Sequence, residues 1–332
     1  MSRLSHGLSQ LAVEDNRIID TLTRQPVKLR GVNRSGFEYS SPEGPGALAK
    51  TGITEVEIST IIEVWGANII RLPFNQEWAL QREGYDPSWY RADLEAVIEM
   101  AARRGAYTLL DLQWLDSRTA RGTVGGRPNF VAPLPNLDSI QLWQQLAAAW
   151  RDESAILYDI FSEPHDALPD DPVPLLGIRE DGSTFSLPTP KVTTNEWQPW
   201  ARQLIAAIRT QNPNALVFVA GTNWAFDLRG HPIPEMGGLI YSTHIYVSKG
   251  LDWDGPFGSL ATSVPVFVSE WGGDDKDIPW GLELTAYFDQ LDLGWTAWSW
   301  SDWPRLVEDP PRPPYTPTPF GTLVRDALMR FR

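Results

Sequence analysis

Two glutamates stand where short apolar runs stop. Glu163 ends YDIFSE (158–163) and Glu270 ends VPVFVSE (264–270). Pro164 cannot continue a strand ladder, so Glu163 falls where the chain must turn. Other chemistry-bearing residues close further runs: Arg71 in ANIIRL (67–72), His244 and Tyr246 in LIYSTHIY (239–246), and Trp298 in GWTAWSW (294–300). Gln113 and Trp114 follow AYTLLDL (106–112), Ser162 precedes Glu163, and Trp224 follows ALVFVAG (215–221). Paired carboxylates on opposing strands suit cleavage of a glycosidic bond, where one acid protonates the leaving oxygen and the other meets an oxocarbenium-like carbon. The second group must stay ionised. Hydrogen bonds from Arg71 and the Tyr246 hydroxyl are expected to lower the pKa of Glu270, while Glu163, partly desolvated and near that anion, is expected to rise toward its protonated form. His244 is expected beside Glu163, Trp298 as the floor of the reacting subsite, and Trp114, Trp224, Trp271 and Trp303 along a lengthened cleft. Each has a plainer reading: a solvated loop charge, a structural arginine bridge, a satisfied barrel histidine, or a packing tryptophan.

Eight apolar runs could position these groups. They are 27–32, 67–72, 106–112, 155–161, 215–221, 239–246, 264–270 and 294–300, each of the length of a doubly buried strand rather than a helix. Helical patterns lie between most of them. The clearest is 86–105, with Asp86 as N-cap, Pro87 at the first helical position, Leu94, Val97, Ile98 and Ala101 on one face, and Gly105 as stop. Similar faces occur at Leu142, Leu146, Ala149 and Trp150, and at Trp200, Leu204, Ile205 and Ile208, with a closing helix near 322–331. The segment 222–238 carries little helical pattern. This alternation predicts an α/β fold, a single (β/α)8 barrel over 1–332 whose chemistry sits at the strands' C-terminal ends. Residues 1–26 are expected to cap its underside. The Pro-rich insertions 165–195 and 302–319 are expected as loops walling the upper face.

Composition narrows the partners. The 332 residues hold 28 Lys+Arg against 42 Asp+Glu, a formal charge of −14, which argues against nucleic acid or an anionic membrane. There is no Cys, hence no disulfide, thiolate nucleophile or Cys-ligated metal site. The sixteen Trp supply stacking surface of the kind a carbohydrate cleft uses. No apolar run approaches the ~20 residues of a membrane span, and MSRLSHGLSQLAVEDN lacks the apolar core of a leader. A soluble monomer is expected, cytoplasmic or secreted with its leader removed.

Taken together, LRGVNRSGFEY (29–39), NIIRLPF (68–74), FSEPH (161–165), THIY (243–246), VFVSEWGG (266–273) and GWTAWSW (294–300) resemble, in order and spacing, the strands of glycoside hydrolase family 5, the cellulase-type retaining hydrolases. The resemblance implies a (β/α)8 barrel acting on β-linked glucans, mannans or related glycosides without a cofactor or metal. It implies Glu163 as acid/base, Glu270 as nucleophile, and Arg71, His244, Tyr246 and Trp298 as the supporting shell. Two positions depart from the family pattern: Ser162 stands where the family has Asn, and Gln113 where it has His. The family Asn holds the sugar 2-hydroxyl, so Ser162 is expected to lengthen that bond or replace it with water.

Two rivals follow from the same residues. A carbohydrate-binding pseudoenzyme would keep the cleft without the chemistry, a reading that Ser162 and Gln113 favour and both glutamates, Arg71 and Tyr246 oppose. A Schiff-base or metal-dependent barrel enzyme would need a lysine at a strand end or histidines at ligand spacing, and the chain has neither.

Overall fold

The computed structural model describes residues 4–84, 86–116, 131–168 and 175–330. Eight strands close in sequence order into one barrel: β1 (Arg30–Asn33), β2 (Ile69–Asn75), β3 (Tyr107–Trp114), β4 (Ile156–Asp159), β5 (Val217–Ala220), β6 (Leu239–Tyr246), β7 (Val266–Gly272) and β8 (Gly294–Ala297). All neighbours are parallel, including β8 against β1. Each expected run overlaps one strand. β1 begins later than its apolar run because Val27 N–H donates to Ile18 of an N-terminal hairpin.

Helices cover the outer face. They are α1 (Glu55–Ser59), α2 (Ser88–Ala102), α3 (Leu137–Ala149), α4 (Thr194–Gln211), α5 (Ile278–Gln290) and α6 (Pro319–Met329). In α2 the expected stripe Leu94, Val97, Ile98 and Ala101 is fully buried. Each large apolar residue so buried contributes about 1.5–3 kcal/mol. Asp86 accepts from Ser88 N–H at 2.8 Å, so the helix starts one residue after Pro87. Capping boxes start α3 (Asn136 with Ser139) and α4 (Thr193 with Glu196). In α3, Ala149 faces solvent, and Trp143 and Ala147 fill the buried stripe with Leu142 and Leu146. Among the described residues, the β5–β6 connection carries only the 3-10 turn Pro234–Met236, and β6–β7 only the single turns Val247–Lys249, Asp254–Gly258 and Leu260–Thr262.

The barrel interior changes character along its axis. Leu29, Ile69, Tyr107, Leu109, Leu157, Leu216, Phe218, Ile240 and Phe267 form the lower plug, joined by Leu11 of the hairpin Leu11–Glu14/Arg17–Asp20. Ser9 accepts from Tyr107 OH at 2.9 Å, and Gln10 Nε2 donates to Asn214 O at 2.9 Å, which hold that segment across the strands' N-terminal ends. Side chains alternate along a strand. Two residues beyond Ile69, Leu109 and Leu157, the same inward face therefore carries Arg71, Asp111 and Asp159.

Two irregularities re-aim side chains at the upper rim, as bulges beside active sites do. Thr243 pairs with Val268 but His244 with Glu270, so Ser269 is left over on β7. Phe74 pairs with Leu112 but Asn75 with Trp114, so Gln113 is left over on β3.

The long loops behave differently from each other. In the first, residues 176–186 form a small hairpin lying against the outside of α4, with Trp200 Nε1 donating to Leu176 O at 2.9 Å and Gln203 to Glu180 O at 3.0 Å. Helix side chains thus take backbone acceptors of this part. The loop after β8 leans on the barrel top, with Tyr315 buried against Trp300, and Trp303 left 68% exposed.

Candidate active site

Arg71 organises the upper barrel. A guanidinium has five N–H donors and no acceptor, and here it makes four hydrogen bonds and one further ion-pair contact. Nε donates to Asp159 Oδ2 (2.9 Å) and Nη1 to Asn33 Oδ1 (2.9 Å) and Glu270 Oε1 (2.7 Å). Nη2 donates to Ser162 Oγ (3.0 Å) and lies 2.9 Å from Asp111 Oδ1. Asn33 is oriented from behind by its own donations to Ser269 O and Thr296 O. Burial alone would lower the Arg71 pKa, but Asp111, Asp159 and Glu270 outweigh it and raise it. Burial pushes Asp159 up to about 6 and Asp111 well above the ordinary aspartate range, with Arg71 opposing both.

Glu270 is 4% exposed. Its second oxygen, Oε2, accepts from Tyr246 OH at 2.8 Å and lies 3.5 Å from His244 Nδ1. Burial, then the Glu270 charge, holds the Tyr246 phenol protonated. Glu163 keeps 19% of its side-chain surface open, and its Oε1 lies 2.8 Å from His244 Nδ1. Burial raises the Glu163 carboxyl to about 7, against the pull of Arg71 and Lys249. Burial also lowers His244 to about 3, so the imidazole is neutral at ordinary pH. One donor atom from each of Glu163, His244 and Glu270 lies within 4.8 Å of the others. Among the described residues this is the one group able to ligate a metal, but the guanidinium 2.7 Å from Glu270 already supplies the positive charge a cation would bring.

The structure therefore brings Glu163, Glu270, Arg71, Ser162, Gln113, His244 and Tyr246 into one cluster, hydrogen-bonded except where His244 stands 3.5 Å from Glu270. Ser162 Oγ donates to Gln113 Oε1 at 2.9 Å. Trp298 is half-buried at the end of β8, its indole N–H donating to Trp303 O at 3.0 Å. Trp114 is half-buried with its ring 6.1 Å from that of Tyr39. Trp224 is half-buried and stacks on His165, ring centroids 3.6 Å apart and 10° from parallel. Three consecutive left-handed residues, Asn223, Trp224 and Ala225 (φ 55°, 62° and 59°), present that ring. Such conformations cost about 1–3 kcal/mol each and persist where surrounding contacts hold them. Here Trp224 N–H donates to Pro164 O, and Lys249 Nζ donates to Asn223 O at 2.8 Å.

Trp271 departs from its expected place. It is fully buried against Phe288, Trp295 and Phe320, outside the barrel wall. The bulge at Ser269 is the reason: it resets the alternation so that Glu270 turns inward and its neighbour outward.

Sequence reasoning missed Asp111, Asp159, Lys249 and His165. Extending the inward alternation from Leu109 and Leu157 finds the two aspartates. His165 Nδ1 lies 2.6 Å from Glu163 O, a contact FSEPH alone does not reveal. Nothing local marks Lys249, which reaches the site from the loop after β6.

The family model described as "Cellulase (glycosyl hydrolase family 5)" matches residues 22–303. The chain is 29% identical over 301 residues to endoglucanase MaCel5A of Microbulbifer sp. (strain ALW1), covering 83% of this chain and 48% of that protein. It is 22% identical over 297 residues to endoglucanase CelA of Streptomyces lividans, covering 84% and 53%. The chain thus spans about half the length of these curated relatives. Among solved structures, β-glucanase SdGluc5_26A from Saccharophagus degradans in complex with cellotetraose superposes with a TM-score of 0.76 at 20% identity, over 100% of this chain and 96% of that one. The catalytic domain of Thermobifida fusca endoglucanase Cel5A superposes with a TM-score of 0.70 at 19% identity, over 98% and 99%. These two share the fold.

Proposed function

The chain belongs to glycosyl hydrolase family 5, and from that premise we propose that it hydrolyses β-glycosidic bonds of a β-glucan by double displacement with net retention. The supporting observation is the spacing of the two glutamates, which have carboxylate oxygens within 4.8 Å of each other. Retaining pairs stand about 5–5.5 Å apart, whereas inverting pairs leave about 6.5–9.5 Å for a water.

In this reading Glu270, held by Arg71 and Tyr246, is the nucleophile. Its carboxylate forms a bond to the anomeric carbon as the bond to the leaving oxygen breaks, and Glu163 delivers its proton to that oxygen. A carboxyl with a pKa near 7 carries the proton at neutral pH and can surrender it. Glu163 then takes a proton from water, the water oxygen attacks the same carbon, and the ester to Glu270 breaks. Neutral His244 donates through Nδ1–H to Glu163 Oε1, which leaves the other carboxyl oxygen to carry the transferred proton. Its buried Nε2 is then an orphan acceptor, not an orphan N–H. The polysaccharide class follows from the endoglucanase names of the relatives, and Trp298, Trp114, Trp224 and Trp303 supply apolar surface for sugar faces.

The test is stereochemical. On an aryl β-cellobioside, the first product seen by proton NMR is expected to be the β-anomer, and azide should rescue Glu163→Ala, but not Glu270→Ala, with formation of a β-glycosyl azide. An α-anomer as first product, or rescue of the other variant, would overturn the assignment.

A further inference from the structure

Ser162 and Gln113, the two departures from the family pattern, form one unit. Arg71 can only donate, so its 3.0 Å contact with Ser162 Oγ occupies a serine lone pair. The single serine proton must go elsewhere, and the neighbour is Gln113, 2.9 Å away. The structure has that proton meet the amide oxygen, Oε1. That choice fixes the amide orientation, which a lone glutamine would leave open. Nε2, with its two donors, sits on the other branch, and no described residue accepts from it. Ser162 itself is 2% exposed, whereas Gln113 is half-buried on the β3 bulge at the rim. The serine hydroxyl is thus committed inside the protein, and the amide is the group that faces outward.

We propose that Gln113 Nε2 donates to the 2-hydroxyl of the reacting sugar, and that Ser162 is the positioning residue that aims it. The inference rests on the glycosidase reading. One guanidinium spans both partners, with Nη1 on Glu270 Oε1 (2.7 Å) and Nη2 on Ser162 Oγ, so the amide lies two hydrogen bonds from the guanidinium that holds the nucleophile. The anomeric carbon attacked by Glu270 has the ring oxygen on one side and C2 with its hydroxyl on the other. An N–H aimed at the ring oxygen would oppose the positive charge that develops there. Aimed at the 2-hydroxyl, it makes a bond of the kind that strengthens in the transition state. The amide function reaches the sugar from β3, although the usual amide position at 162 holds only a hydroxyl.

The experiment compares two substrates, 2,4-dinitrophenyl β-cellobioside and its analogue lacking the 2-hydroxyl on the reacting glucose. Gln113→Met keeps the length of the side chain and removes the amide. It is expected to lose about tenfold or more in kcat/KM on the hydroxylated substrate, mainly through kcat, and less than about threefold on the deoxy analogue. Ser162→Ala should reproduce part of the loss on the hydroxylated substrate and add nothing in the Gln113→Met background. Thermal unfolding followed by tryptophan fluorescence checks that each variant folds, and Gln113→Ala replaces Gln113→Met should the latter not fold. Equal losses on both substrates, no loss, or fully additive effects of the two variants would overturn the pairing while leaving the glycosidase reading intact. Absence of wild-type hydrolysis of either glycoside would overturn the glycosidase reading, and this inference with it.

Discussion

Arg71→Met would remove the cation that, among the described residues, pairs with Asp111, Asp159 and Glu270. Arg71 is fully buried, as are the two aspartates, so water cannot replace the lost donors without opening the barrel. Breaking a buried ion pair by deleting one partner costs about 3–5 kcal/mol, because the other charge stays behind desolvated. Here more than one charge stays behind, and the cheapest relief is proton uptake. The sign follows from linkage. In the variant, native carboxyls have pKa values raised further above the unfolded value of about 4, so the native state holds protons that the unfolded state has released. The unfolded states cancel in the comparison, so stability of the variant relative to wild type falls as pH rises past the point where the wild-type carboxyl itself releases its proton, about 6 for Asp159, by about 1.4 kcal/mol per pH unit for each retained proton. Urea unfolding of both proteins at pH 7.5 and 5.5 measures it. The expected destabilisation is about 3–5 kcal/mol at pH 7.5, shrinking by about 2 kcal/mol at pH 5.5 for one retained proton. A pH-independent difference, or one below about 1 kcal/mol at pH 7.5, would refute the view that Arg71 neutralises a buried carboxylate cluster.

Two other outcomes are expected. Because the acid must carry its proton, kcat/KM on β-glucan or a phenyl β-cellobioside should fall above pH about 7, the value to which burial raises Glu163. That alkaline limb should vanish on a dinitrophenyl glycoside, and Lys249→Met, which removes a charge that pulls Glu163 down, should move the limb upward; a profile flat to high pH on the poor leaving group would contradict the assignment. Trp271→Ala should cost about 3–5 kcal/mol of stability as a core truncation, whereas Trp224→Ala should act mainly on KM for long oligosaccharides. A shift in Tm for Trp224→Ala as large as that for Trp271→Ala would show that the ring is packing and not platform.

Much of this molecule is legible from its sequence because the signals are local. Short β-branched and aromatic runs separated by helical periodicity specify a parallel sheet buried on both faces, and eight of them in order lead to the closed barrel observed. The rule that barrel chemistry lies at strand C-termini then picks out Glu163, Glu270, Arg71, His244 and Tyr246, which the structure gathers into one cluster. Neither inference needs a contact between distant residues. Tertiary structure alone decided the rest. Trp271 follows Glu270 directly, and only the bulge at Ser269, defined by pairing with another strand, sends one inward and the other into the helix layer. The Ser162 hydroxyl gives its proton to Gln113 and one lone pair to Arg71, residues 49 and 91 positions away in the chain. A hydrogen-bonding group has few valences, and which partners fill them depends on neighbours that only the closed barrel brings together.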